Sequence, residues 1–414
     1  MLGKSSTIVK YHNFIFLIFL IILTIPGGIS NAGIYLSHAP GMIIGASLIF
    51  ISVVLTKRKL TISRESFSII ILISSILLLN FLLSMLFYGP VAYLQSGSAL
   101  RFIFSYLILI YLIYAAHFLV EFLNSLSENQ FDRLISKIYY ILLVIALISL
   151  PMHYFDFVDR KQMIFFSEPS HFAIGFAPFY FYKVFNSSNY LIPILTTLIL
   201  GFLLQNLTLL VICIMGFFIY FRKFNLRIFL LITLLSSLFL FYIFNFADSA
   251  SFIVDRLNFF EEASTSSNLS LLILLSSYER AYLSFIETYG IGIGFQQMGY
   301  IGSMGSFQEI IMLMEGVYLN VNDGGNLSSK LISELGFIGI VIICSYLIFF
   351  TKILRKVRLR KFLCKQKIFY YVTFLFFIIL LFVRAASYFT PSSFLVLVAI
   401  IGLNSLSMKE SKAS

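Results

Sequence analysis

FSIIILISSILLLNFLLSMLFY, Phe67–Tyr88, runs for 22 residues without one Asp, Glu, Lys or Arg. At 1.5 Å per residue, a helix of that length crosses the roughly 30 Å hydrocarbon core of a bilayer. Apolar runs recur on both sides of it, over 14–30, 40–55, 99–120, 138–152, 171–185, 190–205, 207–221, 228–246, 331–351, 368–386 and 391–407. A mean hydropathy of +0.97, with 48 Phe and 24 Tyr in 414 residues, excludes a soluble globular protein. The expected fold is all-α: a polytopic integral membrane protein of about 12 transmembrane helices, forming one domain over 1–414. The first run, after Lys4 and Lys10, has the layout of a signal peptide, but the many spans behind it favour a retained first helix. Cys213, Cys344 and Cys364 form no disulfide or metal-ligand pattern.

The lysines and arginines orient the chain. With the N-terminus inside, 22 of the 29 fall on alternate loops, eight of them in the basic loop 352–367. Arg101, Arg160, Lys161, Arg256, Arg280, Lys330 and Arg384 fall on the opposite side. By the positive-inside rule both termini are expected in the cytoplasm. Over 171–221 the runs are short. Two short helices turning at Gln205-Asn206, or a re-entrant hairpin, both keep Arg222, Lys223 and Arg227 inside.

One connection, 247–330, is far longer than the others and is expected wholly outside, where a loop of that length is usually functional. Within it, Ser276, Arg280, Ser284 and Glu287 form a polar stripe at helical spacing. The expectation is an amphipathic helix over Asn268–Tyr289 in the outer interface, its arginine aimed at a polar cavity. GIGIGF, Gly290–Phe295, lacks the strand-turn-helix setting of a nucleotide loop and reads as a turn ending that helix. Asp323-Gly324-Gly325 is a turn signal, Asn326 and Ser328-Ser329 cap the next helix, and Glu334 is placed to favour its positive end.

Ionisable groups at a span mouth are expensive in so apolar a chain, which directs attention to FFSEPSHFAIGF, Phe165–Phe176. Pro169 suits a first helical turn, so Glu168 falls at the N-cap with His171 one turn on. Two readings stand together: a cap, or a carboxylate and an imidazole poised for acid–base work. Arg384, in FVRAASYFTP, is either a snorkelling anchor beside Tyr388 or a diphosphate clamp, for which a guanidinium fork is well shaped. Arg280, Arg101 and Arg160 carry the same pair of readings, a solvated or boundary charge against an anion contact.

In order along the chain, FFSEPSHFA, SSYERAYLSFIETYGIGIGF, GGNLSSKLISELGFIG and VRAASYFTP resemble Wzy-type O-antigen and exopolysaccharide polymerases. The resemblance covers residues 160 to 395 in patches. It implies a metal-independent glycosyltransferase without cofactor at the outer face of the bacterial inner membrane. Such an enzyme moves a growing glycan from one polyprenyl diphosphate onto the next lipid-linked repeat unit. It also implies substrate-binding arginines at Arg280 and Arg384 and catalytic residues at Glu168 and His171; Arg101 and Arg160 are further substrate-binding candidates from their positions alone. The implied partners are membrane lipid, a chain-length regulator and a flippase, with no nucleic acid. A ligase transferring glycan to a lipid A core, or a flippase or transporter of lipid-linked sugars, remain as alternatives.

Overall fold

The computed structural model describes residues 2–31, 38–56, 64–89, 98–154, 163–220, 269–359, 364–385 and 387–413. The expected span 228–246, the start of the long loop and Arg160 lie outside the described residues. Fourteen helices are described: α1 (Leu2–Asn31), α2 (Ala39–Thr56), α3 (Arg64–Tyr88), α4 (Ser98–Ser125), α5 (Glu128–Tyr154), α6 (Pro169–Asn186), α7 (Leu191–Leu203), α8 (Leu207–Tyr220), α9 (Leu269–Glu287), α10 (Ser306–Glu315), α11 (Leu327–Leu335), α12 (Phe337–Leu359), α13 (Lys365–Phe382) and α14 (Pro391–Ala413). By length and composition 6 of these helices can cross a membrane: segments of α3, α4, α5, α9, α12 and α13. Shorter apolar helices lie in α1, α2, α7, α8 and α14. The architecture is that of an all-helical, multi-pass membrane protein.

Helix α6 is the axis of the bundle. Phe172, Phe176, Phe179, Tyr180, Phe181 and Tyr182 are all fully buried, so it has no outward apolar face. It packs against α13, α8 and α5 through ring contacts such as Tyr139–Phe176 at 5.3 Å and Phe179–Phe369 at 5.9 Å. Helix α3 shows the opposite pattern. Leu72, Leu79, Leu82 and Leu86 are exposed, while Asn80 and Ser84 are buried. Polar residues inward and leucines outward is the arrangement expected of a helix bathed in lipid.

At Gln205-Asn206 the chain turns between α7 and α8: Gln205 has φ +48°, and Asn206 Oδ1 accepts from the amide of Thr208 at 2.9 Å. Two helices of 13 and 14 residues result, each about 20 Å long and too short for a full crossing. Elsewhere the structure corrects the sequence reading. The expected span 331–351 is broken at Gly336, where φ is +57°, into the buried α11 and the longer α12. Glu334 therefore lies in the last turn of α11, not the first, and the helix-dipole rationale for it fails. Helix α13 ends at Phe382, two residues before Arg384, which places that arginine in a loop.

Candidate functional site

Three chain segments are joined through Arg384, Ala385 and Tyr388. The first is Ser167-Glu168-Pro169-Ser170-His171. Glu168 has the extended backbone of an N-cap (φ −158°, ψ 161°), and its carbonyl accepts from the amides of His171 and Phe172 at 3.1 and 3.2 Å. Its side chain makes no cap bond, which corrects the capping reading. The carboxylate turns instead to Arg384, whose Nη2 donates to Oε1. Ser170 Oγ donates to the same oxygen at 2.6 Å, and His171 Nε2 lies 3.2 Å from it. Arg384 is thus an ion-pair partner as well as a boundary charge.

His171 Nδ1 and Ser167 Oγ are hydrogen-bonded, and Nε2 lies 3.2 Å from the Glu168 carboxylate. The His38 ring, just ahead of α2, meets the His171 ring edge-on at 5.1 Å. The two histidines line a small cleft together with Phe166, Gly175, Thr390 and Ser392. Burial alone would raise the Glu168 pKa. The Arg384 and His171 charges and the Ser170 and Arg384 hydrogen bonds outweigh it and hold the group at about 2. Glu168 is therefore a fixed negative charge and a poor proton acceptor. For His38 burial lowers the pKa, opposed by the Pro26 carbonyl, Asp323 and Glu168.

The second segment is 290–301, placed by close backbone approach. The chain turns there after α9, as the glycines suggest, and Gly292–Met298 are buried between α3, α4 and α11. Asn80 Nδ2 and Ser84 Oγ donate to the carbonyls of Ile291 and Gly292 at 2.9 and 2.8 Å. The amides of Ile293 and Gly294 donate to Ser333 and Glu334 carbonyls, both at 2.9 Å. At Gly292 φ is +87°, and a β-carbon would stand 2.5 Å from the Glu334 carbonyl oxygen, so only glycine fits. Arg101 Nε donates to the Gln296 carbonyl at 2.8 Å and its guanidinium lies 3.9 Å over the Tyr300 ring.

The third segment is α9 to α11. Three members of the α9 polar stripe are buried: Ser276 donates to Gln308 at 2.6 Å, Ser333 donates to Ser284 at 2.9 Å, and Arg280 is only 2% exposed. Tyr282, Ile286 and Tyr289 face outward instead. Arg280 Nη1 donates to the Val321 carbonyl at 2.5 Å, so its solvated-face reading is excluded. Lys330 and Glu334, one turn apart on α11, form a fully buried ion pair of 3.0 Å. Lys330 Nζ also donates to the Asn322 carbonyl and lies 5.3 Å from the Tyr388 ring. The Ala385 amide donates to the Gly325 carbonyl at 2.8 Å, joining the Arg384 loop to the turn that carries Asp323.

The sequence reading singled out Glu168, His171 and Arg384, and the structure brings these together. Arg280 and Arg101 reach the neighbouring polar cluster but bind backbone carbonyls. Sequence reasoning missed His38, Asp323, Lys330 and Glu334 as members of the site. A lone histidine, a turn aspartate and a helix-start pair give no signal until the chain folds. No protein-family model and no curated protein matches the chain.

Proposed function

We propose that the chain is a polymerase of lipid-linked surface glycans, acting at the outer face of a bacterial inner membrane. One observation carries this reading. The sequence patches that resemble the polymerase family, some 210 residues apart, converge on one polar cluster. Glu168 meets Arg384 there, and the Arg384 loop meets the turn ahead of α11.

The chemistry required is displacement of a polyprenyl diphosphate from an anomeric carbon by a sugar hydroxyl. The departing diphosphate needs preorganised cations. Arg384 and Arg101 are the partly exposed guanidiniums of the cluster, and Arg384 Nε has no hydrogen-bond partner among the described residues. Glu168, itself held by Ser170, orients Arg384, and aromatic faces such as Tyr300 are suited to stacking on sugar rings. The exposed aliphatic surface of α3 and α12 is suited to the lipid carrier. In this reading both termini are cytoplasmic and the α6 N-terminal end faces outward. A cysteine at the exposed Ser303 reacts with an impermeant maleimide in intact spheroplasts, while Cys364 does not. The reverse labelling overturns the orientation.

Deletion of the gene and inspection of surface polysaccharide tests the function. Loss of the ladder with single-repeat capping retained supports a polymerase. Loss of all attached glycan, with lipid-linked polymer accumulating at the outer face, supports the ligase instead. Lipid-linked single repeats trapped at the inner face support a flippase.

A further inference from the structure

We infer that Asp323, and neither Glu168 nor His171, takes the proton from the attacking sugar hydroxyl, on a loop that buried Gln308, Arg280 and Lys330 hold by its carbonyls. This deepens the glycan-transfer reading and rests on it.

Loop 319–325 is fixed with unusual thoroughness. Gln308 Nε2 donates to the Leu319 carbonyl at 3.0 Å, Arg280 Nη1 to that of Val321 at 2.5 Å, and Lys330 Nζ to that of Asn322. All three side chains are buried, with exposures of 1%, 2% and 0%. Burying an arginine and a lysine is costly, and here both serve a single stretch of backbone. Gly324 and Gly325 then turn the chain with φ of +68° and +65°. The turn is wedged against Met298 and Ile273 and tied to Ala385.

What this scaffold presents is Asp323. Its carboxylate is half-buried and makes no hydrogen bond or ion pair among the described residues, in a cluster where the other carboxylates are engaged. Glu168 is neutralised by Arg384, Glu334 is paired with Lys330, and His171 has Nδ1 bonded to Ser167 and Nε2 turned to the Glu168 carboxylate at 3.2 Å. The charged and titratable groups facing Asp323 are Lys330 and Glu334 of α11, His38 ahead of α2 and Arg101 of α4. Burial raises its pKa, and Glu334 adds to the rise, while Lys330, His38 and Arg101 oppose it. A base works best when its pKa approaches the operating pH, and Glu168 is shifted the wrong way.

In the step itself, the acceptor hydroxyl oxygen bonds to the anomeric carbon of the donor. The bond from that carbon to the diphosphate oxygen breaks, and its electron pair leaves on the diphosphate. The hydroxyl proton passes to an Asp323 carboxylate oxygen and then to water. Arg280 and Lys330 are positioning residues in this scheme.

The test uses the full chain in nanodiscs with the lipid-linked glycan pool extracted from cells lacking this gene. Initial rates of glycan lengthening are taken as a function of pH, from acid to mildly alkaline. Asp323→Asn is expected to lower kcat by about 10²- to 10⁴-fold with KM and thermal melting little changed, and to abolish the acid limb of the pH profile. Asp323→Glu regains part of the rate, and His171→Gln keeps the acid limb. An Asp323→Asn variant with the wild-type rate, or a slow one whose acid limb survives, overturns the assignment. Loss of the limb in His171→Gln transfers the role to the imidazole. If the wild-type chain lengthens no glycan from the pool, the transfer reading itself falls.

Discussion

Arg384 and Glu168, 216 residues apart in sequence, form an ion pair on the same carboxylate oxygen that Ser170 reaches at 2.6 Å and His171 Nε2 approaches to 3.2 Å. A single oxygen thus gathers the start of α6 and the loop after α13. Glu168→Asp shortens the arm by one methylene and parts it from Arg384. Displacements of about 1 Å can cost on the order of a hundredfold in rate. Under the proposed function, Glu168→Asp is therefore expected to lose most polymer while accumulating to normal amounts, read by gel ladder and immunoblot. A silent Glu168→Asp variant would leave this carboxylate with no role in transfer.

The same pair has a pH signature. The Glu168 pKa is held at about 2 in the fold, below its ordinary 4.5. A carboxylate depressed by folding contributes stability above its unfolded pKa and loses that contribution as pH falls through the folded value. The contribution is expected to be constant above about pH 5 and to fade between roughly pH 4.5 and 2. Thermal melts in detergent should show this acid loss in the wild type and a weaker one in Glu168→Gln.

Lys330 and Glu334 form an ion pair with no solvent contact on either side chain. Removing one partner strands a buried charge, at about 3–5 kcal/mol. Lys330→Met and Glu334→Gln are each expected to destabilise strongly, and the double variant by clearly less than the sum of the two. Additive losses in a double-mutant cycle would show that the pair is uncoupled.

Arg280 holds the Val321 carbonyl from a buried position. Arg280→Ala should raise amide exchange across 319–323 and, under the proposed function, lower polymer yield, with Arg280→Lys between it and the wild type. Unchanged exchange with lost activity would instead favour direct contact with diphosphate.

Gly292 combines φ +87° with a carbonyl oxygen 2.5 Å from where a β-carbon would sit. Gly292→Ala is expected to destabilise by at least the roughly 1–3 kcal/mol of such backbone strain. Gly28, which has open space around its β-position, serves as the control in the same melting assay.

Much of the helical framework was legible because membrane-spanning length and composition are local properties. Phe67–Tyr88 emerges with the same bounds as an apolar segment, and Gln205-Asn206 turns where the short runs required. The helix carrying Ser276, Arg280 and Ser284 was likewise readable from periodicity. Its facing was half readable: the polar stripe had to meet something polar, but periodicity does not name Gln308, Ser333 and Val321. Gly336 was misread because apolar residues continue through it, and the break depends on the close approach of the Gly290–Ile291 backbone.

Hydropathy and spacing alone determined that this chain is a helical membrane protein with a polar helix stripe and a Glu-Pro-x-His helix start. Those features follow from interactions within one or two turns, or between one segment and its solvent. Tertiary structure alone decided which ionisable groups share a cluster, which of them neutralise one another and which is left unpaired. Arg384 pairs with Glu168, Lys330 with Glu334, and Asp323 with neither cation. Such pairings depend on distances between segments remote in sequence, and Coulomb and desolvation energies change steeply with those distances and with burial.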